Sequence, residues 1–311
     1  MSPQTTVILS RHWHDPLAEL GFVARALAGA ATRIGAVAVV VPGPAGTLRA
    51  DGAFDVEGIG DEPLRWPDDV RTDCITLVDE LTRDVARLLL ETSQRRVLFV
   101  AADGPPDDPA WRPLRLVGEG DPGLVQVHVP VNRLAERHRH NGFGFTGYEL
   151  VLAGRGPVGD VPPPEVAWIT AAFHDRDVIV LEDATASAWR GRALRGRVAV
   201  NTRMDLWRLI AHANVCIDLA PGPHFARECV EAMRFGTPVV VHQGSGAAVS
   251  HVGFGGGSVF ADPYELLSSV SRLHDEAARG GASSRARRYA DAVYGSADRL
   301  VTSLSAVLES R

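Results

Sequence analysis

Glu228 and Glu231 stand one helical turn apart in the run RECVEAMRF, which stops at Gly236. Carboxylates at this spacing share a helix face, where they can accept hydrogen bonds from ligand hydroxyls. The plainer reading is that acids in the first half of a helix complement its macrodipole. His224, just upstream, is titratable and near both. Arg155, in the turn GRG after an apolar run, offers a two-pronged fork to phosphate oxygens, or is a surface arginine. The segment 242–246, HQGSG, follows another apolar run. Its glycines let backbone N–H groups approach an anion, and strand ends are where open α/β sheets bind ligands; the alternative is a simple turn. His12/His14 and His138/His140 have the i,i+2 spacing that some metal sites use, but no carboxylate or cysteine partner stands near. Hydrogen-bonding or solvated histidines fit better, and no metal is expected. Residues 142–147 satisfy G-x-G-x-x-G literally, yet they precede an apolar run instead of following one, so they read as linker.

The elements that must carry these groups alternate. Short β-branched or continuously apolar runs at 6–9, 36–41, 96–101, 148–153, 177–181, 197–200, 215–219 and 238–241 read as buried parallel strands. Segments 15–31, 74–92 and 204–214 have helical spacing. The first opens on Asp15 and Pro16, a capping residue followed by proline at the first helical position. The second places Ile75, Val78, Leu81, Val85, Leu88 and Leu89 on one face. Residues 283–308 read as helix broken near Gly295. Strands alternating with helices, twice over, predict an α/β protein of two Rossmann-like halves with a hinge within 130–147. The Pro- and Asp-rich stretch 103–112 interrupts the first half. Asp103 ends a strand there, and His12 and His14 follow the first strand, so all three are placed to face a cleft.

Composition narrows the class. With 311 residues, 45% hydrophobic and 23% charged, the chain has a globular core and is long enough for two domains. All 32 basic residues are arginine, which excludes a P-loop and any Schiff-base lysine. A net charge of −6 with dispersed arginines argues against a nucleic-acid partner. Cys74, Cys216 and Cys229 have no CxxC spacing and read as free thiols in a reducing, cytoplasmic setting. Residues 1–6 are polar, and no apolar run is long enough to span a bilayer. Arg285, Arg287 and Arg288 form a basic cluster that suits either an acidic membrane surface or a solvated helix face.

The segment 218–241, DLAPGPHFARECVEAMRFGTPVVV, resembles the donor site of the retaining GT-B glycosyltransferases (glycosyl transferases group 1). That family's pattern is a Glu, seven residues, Glu-Ala-Met, then Gly-Thr-Pro-Val-Val. Glu231, Ala232 and Met233 match it, as do Gly236, Thr237, Pro238, Val239 and Val240; the first acid is replaced by Pro223. The resemblance covers about 148–275. It takes in YELVLAGRG as the first donor-domain strand and its Gly-Arg turn, DVIVLED as the next strand, and VFADPYELL as a later helix start. The first 130 residues match only in general shape, and SRHWHDP stands where the family carries a glycine-rich loop.

The resemblance implies a GT-B fold with a shortened N-terminal domain: 1–135 on the acceptor side, 136–289 on the donor side, and a closing helix at 290–311 returning to the first domain. It implies transfer of a sugar from a nucleotide-sugar donor to a glycan, lipid-linked or small-molecule acceptor, with retention and without a metal or other cofactor. Arg155, Glu231, Thr202, Gly244, Ser245 and Gly246 then form the donor site, with Glu231 on the ribose and Arg155 on the diphosphate. His224 and Glu228 stand nearest the lost acid as the catalytic candidates, and His12, His14 and Asp103 face the acceptor. The family's diphosphate-binding lysine has no counterpart, leaving Arg190, Arg192 and Arg203 as replacements. Loss of the acid and the lysine also fits a non-catalytic GT-B-like partner subunit or a sugar- or nucleotide-binding protein.

Overall fold

A computed structural model describes residues 5–10, 19–40, 56–58, 74–78, 97–101, 111–113, 125–137, 147–152, 164–185, 188–193, 196–200, 202–219, 225–245, 249, 251–252 and 257–309. The chain divides into two units, Met1–His128 with Ser296–Arg311, and Val129–Gly295.

In the first unit, β1 (Thr5–Leu9), β2 (Ala36–Val40), β4 (Cys74–Val78), β5 (Val97–Ala101) and β6 (Trp111–Pro113) pair in parallel, and β3 (Val56–Gly58) adds an antiparallel edge beside β2. The order β3-β2-β1-β4-β5-β6 puts β1 at the point where the chain turns to the other side of the sheet. The amphipathic helix α1 (Glu19–Ile34) buries Val23, Ala24, Leu27 and Ala31. The C-terminal helix Ala297–Glu309 is joined to it by an Arg33–Asp298 ion pair of 2.7 Å, and Ser303 Oγ accepts from the Gln126 amide at 3.0 Å.

The helical spacing over 74–92 does not hold at its start, because Cys74–Val78 is a central strand paired with both β1 and β5. Cys-Ile-Thr-Leu-Val is a short apolar run rich in β-branched residues, which periodicity alone does not separate from buried helix. The remainder of that segment lies outside the described residues.

The second unit holds a seven-stranded sheet. Tyr148–Leu152 (β7), Val178–Thr185 (β8), Ala213–Asp218 (β11), Val239–His242 (β12) and Gly257–Phe260 (β13) are its parallel part. Ala188–Ala193 (β9) and Gly196–Val200 (β10) extend it antiparallel beyond β8, which corrects the parallel reading of 197–200. Only two residues join β8 to β9, and two join β9 to β10. Such connections allow hairpins, whereas parallel neighbours need a crossover of a dozen residues or more.

All five residues of β7 are buried, as a strand covered on both faces requires. On one face Val151, Val180, Ile217 and Val240 pack with Ile169 and Phe173 and with Leu266 and Val270. After the short helix Leu134–Arg137 (α2), these last four belong to or directly follow the helices Pro164–Ala172 (α3) and Pro263–His274 (α6). Two further helices, Arg203–His212 (α4) and Arg227–Phe235 (α5), pack against each other and against β11. Asp262 caps α6, accepting from the Glu265 amide at 2.9 Å, with Pro263 in the first turn. The long helix Glu276–Tyr294 (α7) lies against α5 and ends at Gly295, followed by Ala297–Glu309 (α8). No helix among the described residues is long and apolar enough to cross a membrane.

Candidate functional site

The strand order β10-β9-β8-β7-β11-β12-β13 places β7 and β11 side by side where the chain changes direction across the sheet. The crevice beyond the carboxyl ends of two such strands is the usual ligand position in open α/β sheets. α5 follows β11, so the switch point and the turn from Gly236 into β12 set the position of Glu228 and Glu231.

Ala226 opens α5 in the left-handed region, φ 54° and ψ 51°, without a side-chain cap. A residue with a Cβ is about 1–2 kcal/mol worse there than in the right-handed region, so its surroundings must hold it. At the other end Gly236 has φ 83°, the conformation that favours glycine at a helix stop, and donates to the Ala232 and Met233 carbonyls. Thr237 then bonds the Ile210 carbonyl through its hydroxyl at 2.7 Å, which ties this turn to α4.

α5 directs a network of four charged side chains toward α4. Arg203 donates from Nε to Glu231 Oε1 at 3.0 Å, from Nη2 to Glu231 Oε2, and from Nη1 to Glu228 Oε1 at 2.9 Å. Arg227, one turn before Glu231, donates from Nε to Glu231 Oε1 at 2.9 Å. Glu231 is fully buried, and the Arg203, Arg227 and Glu228 side chains are nearly so. Burial opposes the charge on Arg203, but Glu231 and Glu228 outweigh it and raise its pKa. For Arg227 burial wins: its pKa falls to about 10, because Glu231 only partly offsets burial and Arg203 opposes it further.

Oε1 of Glu231 thus accepts two bonds and Oε2 one. A carboxylate has about four acceptor positions, so one remains, on Oε2. Glu228, read from sequence as a catalytic candidate, is held by Arg203. Arg203, read as a phosphate-binding replacement, is the hub of the network.

Thr202 caps α4. Its hydroxyl accepts from the Asp205 amide at 3.2 Å and bonds Asp205 Oδ2 at 2.8 Å, while its own amide donates to Oδ2 at 3.2 Å, a complete capping box. Beyond β12, the Gly244 amide donates to His242 Nδ1 at 3.0 Å and the Ser245 amide to the His242 carbonyl at 3.0 Å. Ser245 is fully buried and its hydroxyl has no hydrogen-bond partner among the described residues. A buried, unsatisfied hydroxyl beside a glycine turn at a strand end suits a ligand atom.

Arg155, His224, Gly246, His12, His14, Asp103 and Pro223 lie outside the described residues, as do the side chains of Arg190 and Arg192. Of the basic cluster on α7, Arg287 stays exposed while donating to Glu136 at 2.9 Å and to the Phe235 carbonyl. Among the described residues no three His, Cys, Asp or Glu side chains gather as a metal site would require.

Beneath the network Cys229 Sγ donates to Asp218 Oδ2 at 3.4 Å, and both Cys216 and Cys229 are buried free thiols. Burial first, then Asp218, pushes both thiols well above their ordinary range. The thiolate is the reacting form, so neither should be alkylated in the folded protein. Peptide mass spectrometry after iodoacetamide treatment at pH 8 is expected to find both unmodified, and both labelled once guanidinium is added. Labelling of either in the native state would contradict this burial.

No protein-family model matches the sequence, and no curated protein matches it in a sequence comparison. Solved structures do match in three dimensions. A glycosyltransferase from Rickettsia africae ESF-5 is 10% identical, with all of both chains covered and a TM-score of 0.58. HepE from Anabaena, solved in complex with UDP-glucose, is 12% identical over 99% of this chain and 100% of its own, with a TM-score of 0.56. Sucrose-phosphate synthase from Thermosynechococcus elongatus is 12% identical over 97% of each chain, with a TM-score of 0.54. Over nearly its whole length, the chain has the GT-B glycosyltransferase fold.

Proposed function

We propose that the protein is a glycosyltransferase that moves a sugar from a nucleotide-sugar donor to an acceptor hydroxyl with retention of configuration. The observation that carries this reading is the placement of Glu231 and the Gly236 turn beside the β7/β11 switch point of a GT-B fold. The UDP-glucose complex of HepE, a protein of the same fold, supports a nucleotide-sugar donor.

In this reading the remaining acceptor position of Glu231 takes a ribose hydroxyl. Arg155 and the backbone N–H groups around Gly244, Ser245 and Gly246 face the leaving diphosphate, where negative charge develops. Thr202 borders the donor site at the start of α4. His224 and Glu228 are the groups nearest the transferred sugar, and His12, His14 and Asp103 belong to the acceptor side. The acceptor is a glycan, a lipid-linked saccharide or a small molecule, and no metal takes part.

A second reading, a GT-B-like binding protein or partner subunit without catalysis, is favoured by one specific observation. Glu228 and Glu231 are both engaged by arginines in a chain whose first family acid is Pro223 and which has no lysine.

A thermal-shift panel of nucleoside diphosphates and their sugars tests the donor site. A ligand present at 100 times its Kd stabilises a folded protein by about 2.7 kcal/mol, a shift of several degrees. Stabilisation by at least one member of the panel is expected, and no response to any of them would overturn the glycosyltransferase reading. A response without sugar release or transfer would favour the binding protein.

A further inference from the structure

We infer that His251 is the positioning residue of the donor-site helix α5, fixing the backbone at Phe225 and linking it to the residues where the chain enters and leaves the second unit. The donor site is that of the preceding reading; the positioning of α5 stands on hydrogen-bond geometry alone.

His251 is fully buried, and both ring nitrogens are engaged. Nε2 lies 2.6 Å from the Phe225 carbonyl oxygen and Nδ1 lies 2.5 Å from the Tyr294 hydroxyl. A carbonyl only accepts, so Nε2 carries a proton. In the neutral ring Nδ1 is then the acceptor, and the Tyr294 hydroxyl donates to it. Burial, with Tyr289 beside it, pushes the Tyr294 phenol upward, so it remains a neutral donor. The three rings of Phe225, His251 and Tyr294 meet edge to face, with centroids 5.2–6.1 Å apart, which leaves the imidazole little freedom to turn.

What His251 holds is the least self-sufficient point of the site. Phe225 immediately precedes Ala226, the left-handed residue that begins α5 without a side-chain cap. The Ala226 carbonyl accepts the first helical bonds, from the Cys229 amide at 3.0 Å and the Val230 amide at 3.3 Å. The next three side chains of the turn include Arg227 and Glu228, with Glu231 one turn on. A shift at Phe225 therefore re-aims the charged network.

The other end of the linkage is the unit boundary. The Tyr294 carbonyl accepts from the Val129 amide at 3.0 Å, joining the two places where the chain crosses between units. Arg234, at the far end of α5, donates to the Val129 carbonyl and to Asp291 of α7 at 3.0 Å. Arg133 bonds the Arg234 carbonyl at 2.5 Å and pairs with Asp291 at 3.2 Å. α5 is thus tied to the boundary at both ends, through His251 and Tyr294 at its start and through Arg234 and Arg133 at its finish.

The test compares the full chain with His251→Leu, His251→Gln and Tyr294→Phe. Leucine removes both polar contacts, whereas glutamine keeps a donor and an acceptor on one side chain. Amide exchange of Cys229 and Val230 is expected to quicken by about tenfold in His251→Leu, the effect of removing one buried hydrogen bond from the residue that leads into the helix, with α6 unchanged. Glutamine should restore exchange to within about threefold of the parent, since it re-forms the bond to Phe225. The Kd for UDP, used as the probe, should rise by a similar factor of about ten in His251→Leu and recover in His251→Gln. If His251→Leu does not fold, Tyr294→Phe carries the same two readouts with the imidazole retained.

Uniform acceleration across all helices, or parental exchange in 225–231 together with a parental Kd, would overturn the inference and leave His251 a packing residue. If the parent binds no nucleoside diphosphate, the proposed function falls, and the exchange experiment alone decides the role of His251.

Discussion

Replacing Glu231 with alanine is expected to destabilise the second unit by about 3–5 kcal/mol, as removal of one partner from a buried ion pair does. The cause is less the lost carboxylate than what it leaves behind. Arg203 keeps one bond to Glu228, whereas its Nε and Nη2 donors and the Arg227 Nε donor lose the Glu231 oxygens, all in a nearly water-free site. The burial that already lowers the Arg227 pKa to about 10 would then act without its main counterweight. Arg203→Ala should destabilise less than Glu231→Ala, because Glu231 keeps Arg227. The double variant should fall short of the sum by roughly 1–3 kcal/mol, the coupling usual for side chains in one network. Urea titrations of the parent, both single variants and the double variant measure that coupling. Strict additivity would mean that Arg203 and Glu231 do not share a network, contrary to the distances.

The parts of this site that local sequence encodes are the parts that can be read from it. Gly236 as a helix stop, Asp262 and Pro263 as a helix start, and the break near Gly295 depend on residues a few positions apart. Each appears in the structure where its residue type requires. The Arg227–Glu231 pair is likewise readable as i,i+4 spacing. Arg203 is different: it reaches Glu231 across 28 positions, and only the packing of α4 on α5 makes that contact. His251 lies 26 positions from Phe225 and 43 from Tyr294, in a stretch with no periodic pattern, so nothing local marks it. The two strand errors have a common physical origin. Apolar runs such as 74–78 and 197–200 report burial, whereas helix against strand, or parallel against antiparallel, is decided by what they pair with and by the length of their connections. The family resemblance reached the GT-B fold because it rests on a contiguous stretch, the Glu231-to-Val240 helix, turn and strand, whose form is set by neighbouring residues; it did not extend to how Glu231 is bonded.

Gly257→Ala is expected to detach the edge strand β13 and destabilise the second unit by about 3 kcal/mol or more, the scale of losing a large aromatic from a core. Gly257, the last residue of the glycine-rich run 253–257, is the first residue of a strand and lies opposite Val239. A Cβ at this position would stand 1.9 Å from the Val239 carbonyl oxygen and 2.8 Å from its carbon. Neither is a flexible side-chain end that can swing aside. Val239 is also held from its other side, where Cys216 pairs with it and the Cys216 amide donates to the Pro238 carbonyl at 2.9 Å. The edge strand must therefore give way, and with it Phe260, which is almost fully buried in the core formed with α3 and α6. The effect should also reach the candidate site. The Gln243 amide donates to the Phe260 carbonyl at 2.9 Å, so releasing β13 frees the turn that carries Gly244 and the buried Ser245 hydroxyl. Amide exchange should accelerate from Val240 through Ser245 in Gly257→Ala, whereas Phe260→Leu, which thins the core without forcing the backbone, should leave the Gln243 amide more protected. A Gly257→Ala protein within about 1 kcal/mol of the parent would show that β12 and β13 can separate at Val239 without loss, since a buried backbone clash ranks among the few changes that exceed ordinary substitution effects.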